Sequence, residues 1–256
     1  MKDSTSSNAA IVFDHLRVVY PGKSRSTLPK VAVTDLNLEI QNGEVFGFLG
    51  PNGAGKTTSM NVLLGFLQPT SGTARIQGID ISSPKSRQSL GYLPELTYYY
   101  KFLNAYELLH FYGKLFGMGE SDREKRISEL LKLVELTDAA LRPIKTYSKG
   151  MQQRVGIAQA LINNPQVLIM DEPTSGLDPL GRNKVRAIIQ RLKDEGKTVF
   201  FSSHELGEVE TVCDRVAIFA AGELKVMGTV TDLLSEHQCS LEQLFLRIVS
   251  GEMAFA

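Results

Sequence analysis

Residues 44–67 read "EVFGFLGPNGAGKTTSMNVLLGFL". A short apolar run ends in glycine, a glycine-rich loop follows, and the residues after it carry helical spacing. Gly50 to Thr57 fits G-x-x-x-x-G-K-[ST], and the strand before it and helix after it are the context that motif requires. Glycines let backbone N–H groups approach phosphate oxygens without a Cβ in the way. The helix start adds a partial positive charge. Lys56 can then reach the outer phosphates, and the Thr57 hydroxyl can hold Mg²⁺. The motif specifies a nucleoside triphosphate; the guanine-reading N-K-x-D sequence does not occur.

A second group of residues supports the first. "VLIMDEP" (167–173) is an apolar run followed by Asp171 and Glu172. A buried strand delivers both acids at its C-terminal end, where α/β sheets bind ligands. Asp171 suits the Mg²⁺ shell and Glu172 suits polarising the attacking water.

Outward from these motifs, "QVLIMDE" (166–172) and "KTVFFSS" (197–203) read as buried strands, and 179–196 between them as an amphipathic helix ended by Gly196. Such alternation predicts parallel strands with crossover helices. Residues 11–20 and 31–40 read as strands flanking a polar, basic loop, 21–30, and Asn42-Gly43 as a tight turn opening a hairpin. Residues 72–93 have strand-and-turn character. Three helices are expected within 103–163: one capped by Asn104 with Glu107 three residues on, one starting at Ser121, one starting near Ser148. On the first, Phe111, Tyr112 and Phe116 lie on the apolar stripe and read as core. Tyr98, Tyr99, Tyr100 and Phe102 precede the cap, lie in a loop, and cannot all face inward.

The 256 residues suffice for a real core. Lys+Arg and Asp+Glu both number 28, which weighs against a general nucleic-acid binder. Cys213 and Cys239 sit in no metal-type pair and read as small hydrophobes. No apolar run approaches the roughly 18–20 residues that cross a bilayer, so a chain working at a membrane is expected to be held there by another.

With the two motifs placed, the chain resembles the nucleotide-binding subunit of an ATP-binding cassette (ABC) transporter over roughly residues 11–250. "YSKGMQQRVGIAQAL" (147–161) is similar to the family signature, "SGLD" (175–178) to the loop after the carboxylate strand, and His204 in "FFSSH" to the switch histidine. The resemblance implies an α/β P-loop NTPase core with a mixed sheet, an antiparallel β subdomain and an inserted helical subdomain. It implies a disordered tail at 1–10, the core and β subdomain at 11–96 and 164–235, the helical subdomain at 97–163 and a helical tail at 236–256.

It also implies roles. Tyr20 would stack on adenine. Gly50, Asn52, Gly53, Ala54, Gly55, Lys56, Thr57 and Thr58 would wrap the phosphates of ATP, with Thr57, Glu95 and Asp171 at Mg²⁺. Glu172 would be the catalytic base and His204 the γ-phosphate sensor. Ser148, Lys149, Gly150 and Gln152 would complete the ATP site of a second copy in a head-to-tail homodimer, with Asp178 in the dimer loop. Tyr98, Tyr99 and Tyr100 would border the groove for an integral membrane subunit, placing the protein on the cytoplasmic face of the membrane.

The sequence departs from the family pattern at two places. The usual L-S-G-G-Q signature reads Tyr147-Ser148-Lys149-Gly150-Met151, and Glu95 in "GYLPE" stands where a glutamine is usual. Both departures are common in a branch that serves exporters of drugs, polysaccharides, haem or lipids. Two other readings compete: a cassette acting on nucleic acid or the ribosome, and a regulatory cassette that binds ATP without hydrolysing it. A single neutral cassette argues against the first. Intact Lys56, Asp171, Glu172 and His204 argue against the second.

Overall fold

The computed structural model describes residues 8–22 and 28–251. Its centre is β3 (Val45–Leu49), a five-residue strand buried along its whole length. β3 lies between two parallel neighbours, β8 (Thr198–Ser203) and β9 (Arg215–Ala220). β7 (Val167–Asp171) adds parallel to β8, β6 (Leu90–Leu93) adds parallel to β7, and β10 (Glu223–Thr229) closes the far edge antiparallel to β9. Near-continuous apolar runs are what a parallel sheet covered on both faces demands.

A second, antiparallel sheet runs β2-β1-β4-β5, from β1 (Ala9–Tyr20), β2 (Lys30–Gln41), β4 (Ser71–Ile76) and β5 (Ile79–Asp80). Its inward residues, among them Ile11, Phe13, Leu36 and Ile40, pack with α1 (Lys56–Leu63) on one face of the central sheet. There Phe200 collects Phe13, Phe46 and Phe48 at centroid distances of 6.5, 6.1 and 5.6 Å. Each such ring contributes roughly 1.5–3 kcal/mol by burial. The opposite face, with Val45, Leu49, Met170 and Phe201, is covered by helices, chiefly α5 (Pro179–Asp194), α6 (Leu206–Val212) and α8 (Leu241–Ser250).

Between β6 and β7 the chain leaves the sheet to form α2 (Ala105–Leu115), α3 (Glu120–Leu133) and α4 (Lys149–Ala160). Asn104 caps α2 in a full capping box with Glu107, and Ser148 caps α4 through Met151 N–H. α7 (Val230–His237) links β10 to α8.

The structure corrects several expectations. β1 begins at Ala9, so Ala9 and Ala10 belong to a strand and not to the tail expected at 1–10; residues 1–7 lie outside the described residues. Asn42-Gly43 does not open a hairpin. β2 pairs with β1, while β3 is satisfied on both edges by β8 and β9, so the turn carries the chain from one sheet to the other. Ser121 does not cap α3: the helix starts one residue earlier behind Gly119, without a side-chain cap, and Glu120 and Asp122 meet its dipole instead. The boundary expected at 235 falls inside α7. Phe111 and Phe116 are not core. They are 47 and 53% exposed, because Leu108, Leu109 and Gly113 form the buried face of α2.

Candidate nucleotide site

The C-terminal ends of β3, β7 and β8 meet at one edge of the central sheet, with Leu49 opposite Ser203 and Asp171 opposite Ser202. The loop leaving β3 wraps back into α1, and at its turn Gly55 has φ +113. A Cβ there would stand 2.3 Å from the Ala32 carbonyl oxygen, so only glycine lets the loop pass this close to β2. The loop floors a cavity of about 220 Å³ whose lining includes Tyr20, Asn52, Gly53, Ala54, Gly55, Lys56, Thr57, Thr58, Glu95, Asp171, Glu172 and His204. The structure therefore gathers these residues around one space. Gly50 lies beneath it, its carbonyl accepting from Lys56 Nζ at 2.5 Å.

Lys56 is buried at the first position of α1. Burial pulls its pKa below the usual lysine value, opposed by the charges of Glu172, Asp171 and Glu95. Glu172 Oε1 lies 3.9 Å from its ammonium, and Glu172 Oε2 lies 2.7 Å from His204 Nδ1. The base expected from sequence is thus held between a lysine and the histidine expected to sense phosphate. Glu172 itself sits at φ +51, in the left-handed region that costs a residue with a Cβ.

Ser202, which sequence reading passed over, fixes this corner. Its buried hydroxyl donates to Asp171 Oδ1 at 2.5 Å and accepts the Glu172 N–H at 3.0 Å. Thr57 Oγ1 donates to the other oxygen of Asp171 at 3.1 Å. A hydroxyl and a carboxylate in contact form an all-oxygen donor set, which fits a hard cation such as Mg²⁺ completed by phosphate and water oxygens. Glu95 lines the same cavity from an exposed loop position.

Tyr20 lines the cavity as well, its hydroxyl 3.3 Å from Thr58 Oγ1. Other expected residues stand apart. Ser148, Lys149, Gly150 and Gln152 do not line the cavity. Ser148 is committed to capping α4, and Lys149 reaches across Gly176 in the loop after β7. Gln152 donates its amide to the Tyr147 carbonyl at 3.0 Å, and Asp178 caps α5 through Gly181 N–H at 2.8 Å. Tyr98 and Tyr100 are exposed, whereas Tyr99 packs against the core and bonds the Gln152 carbonyl.

A sequence profile described as ABC transporter matches residues 33–175, more than half of the chain. The chain belongs to the ABC transporter family. The cassette is 49% identical over 79% of its length to an ABC transporter ATP-binding protein of Synechocystis sp., and 40% identical over 80% of its length to the linearmycin resistance ATP-binding protein LnrL of Bacillus subtilis. It spans 58% of the first relative and 67% of the second. Among solved structures it resembles a dimeric ATP-binding cassette in a post-hydrolysis state bound to ADP and Pi. The TM-score is 0.76 at 27% identity, over 86% of the cassette and 98% of that chain. The cassette is an ATP-binding domain of the ATPase type. Among its described residues, no helix is long and apolar enough to cross a membrane.

Proposed function

We propose that the cassette hydrolyses ATP as a head-to-tail homodimer and thereby drives a separate membrane-spanning subunit, as an exporter, from the cytoplasmic face of the membrane. The observation that carries this reading is Glu172, held 2.7 Å from His204 and 3.9 Å from Lys56 beside the Thr57–Asp171 pair. Glu172 accepts the proton of the attacking water, and His204 orients its carboxylate. Lys56 and the loop N–H groups take the charge of the outer phosphates. Thr57 and Asp171, with Glu95 at the rim, would hold Mg²⁺, which supplies further charge neutralisation when bound.

Four observations support the rest. Ser148, Lys149, Gly150 and Gln152 lie off their own cavity at the start of a helix, a position that supports contact with the ATP of a second copy. The likeness to a dimeric cassette bound to ADP and Pi supports the same pairing. The exposed Tyr98 and Tyr100, with Phe102, supply apolar bodies and polar tips suited to a protein partner. The export direction rests on likeness to a resistance protein.

Glu172→Gln tests the core of the proposal. It should lower ATP turnover at least ~100-fold while nucleotide binding persists, and gel filtration with ATP should show a dimer. Turnover at the parent rate would remove Glu172 from the role of base.

A further inference from the structure

Lys30 lines the nucleotide cavity, and neither the phosphate-loop motif nor the carboxylate strand accounts for it. It is the first residue of β2 and pairs directly with Tyr20, the last of β1. Directly opposed residues of an antiparallel pair project to the same face, so the lysine and tyrosine form one wall with Ala32. The Tyr20 hydroxyl, 3.3 Å from Thr58 Oγ1, sets that wall against the α1 end of the loop. The same cavity is lined by Asp171, Glu172 and His204, and Asp171 meets the loop at Thr57, the residue before Thr58.

The two lysines of the cavity differ in what already engages them. Lys56 is buried, bonded to the Gly50 carbonyl, and faces Glu172. Lys30 is exposed and has no carboxylate or carbonyl partner among the described residues. Three carboxylates, Glu95, Asp171 and Glu172, surround the deep lysine, so the deep end carries little spare positive charge of its own. Lys30, exposed in the same cavity, carries a charge that no described carboxylate pairs with.

We propose that Lys30 is a nucleotide-binding residue whose ammonium pairs with the phosphate nearest the ribose. This rests on the nucleotide reading of the cavity. A nucleotide with its terminal phosphates at Lys56 and its base against Tyr20 brings its innermost phosphate to the wall that Lys30 shares. The bond is charge–charge at a wet rim, so it governs affinity in a salt-dependent way. It acts equally on di- and triphosphates.

Isothermal titration of the whole chain with Mg-ADP and with the non-hydrolysable Mg-AMPPNP provides the test. At low ionic strength Lys30→Met should weaken both ligands by the same factor, about five- to tenfold, and the difference should shrink toward unity in about 0.5 M salt. Lys30→Arg should stay within about twofold of the parent. Lys85→Met, which removes an exposed lysine outside the cavity, should bind as the parent does. Parent-like affinity of Lys30→Met, equal losses in Lys30→Met and Lys30→Arg, or a loss confined to the triphosphate would each overturn the inference. A parent chain that binds neither nucleotide would sink the nucleotide reading itself, which is a different result.

Discussion

Ser202→Ala should cost more than any other single hydroxyl removal in the central sheet. The side chain is fully buried, and one oxygen serves two neighbours at the end of β7. Losing the 2.5 Å bond to Asp171 removes a hydrogen bond to a charged group, worth roughly 1.5–3 kcal/mol. Losing the 3.0 Å bond from Glu172 N–H orphans a buried donor, costing roughly 1–3 kcal/mol. The two losses share one atom, and Asp171 keeps Thr57, so they do not simply add. The net expectation is about 3 kcal/mol. Ser203→Ala is the matched control: it is equally buried, but its hydroxyl serves one bond, accepting Glu205 N–H at 2.9 Å, worth about 1 kcal/mol. Urea unfolding of the two variants should therefore separate them by about 2 kcal/mol. Ser202→Ala should also lose ATP turnover, because the bond it removes is one that holds Glu172 at φ +51. If both variants unfold within ~0.5 kcal/mol of each other, the hydroxyl is not what fixes the acidic corner.

Two further outcomes follow from the aromatic segment. Replacing Tyr98 and Tyr100 together by alanine should leave ATP binding and urea midpoint near the parent, since both are exposed, yet reduce transport when the membrane subunit is present; undiminished transport would refute the docking role. Tyr99 should behave differently: burial pushes its pKa up to about 12, as it does for Tyr92. A raised phenol pKa means the folded state favours the neutral form, so this contribution is complete below pH 10.0 and lost as pH rises through about 12. Absorbance titration of the parent should show a late step near pH 12 that Tyr99→Phe diminishes, and that variant's stability should fall less steeply between pH 10.0 and about 12. A late step unchanged in Tyr99→Phe would remove burial as the cause.

How far the site was legible in the sequence depends on whether a residue's role is local or comes from pairing. The loop Gly50–Thr57 and the two acids at the end of "VLIMDE" are local patterns, each dictated by strand, turn and helix start, and the structure brings them to one cavity. Ser202 and Lys30 owe their placement to register: one lies opposite Asp171, distant in sequence, and the other opposite Tyr20 across the loop that joins two consecutive strands. No spacing rule reports such a pairing. The turn at Asn42-Gly43 failed for the same reason. Its local chemistry favours a hairpin, but β3 gains two parallel partners in the covered sheet and so cannot keep β2. Phe111 and Phe116 fail differently. Their helical spacing is correct, but periodicity identifies an apolar face without saying what covers it. Within the chain α3 and α4 cover the face with Leu108 and Leu109, and the surplus rings remain outside, on the same lobe as Tyr98 and Tyr100. An apolar excess beyond what the lobe can bury is therefore the physical ground for seeking a protein partner on this side of the cassette.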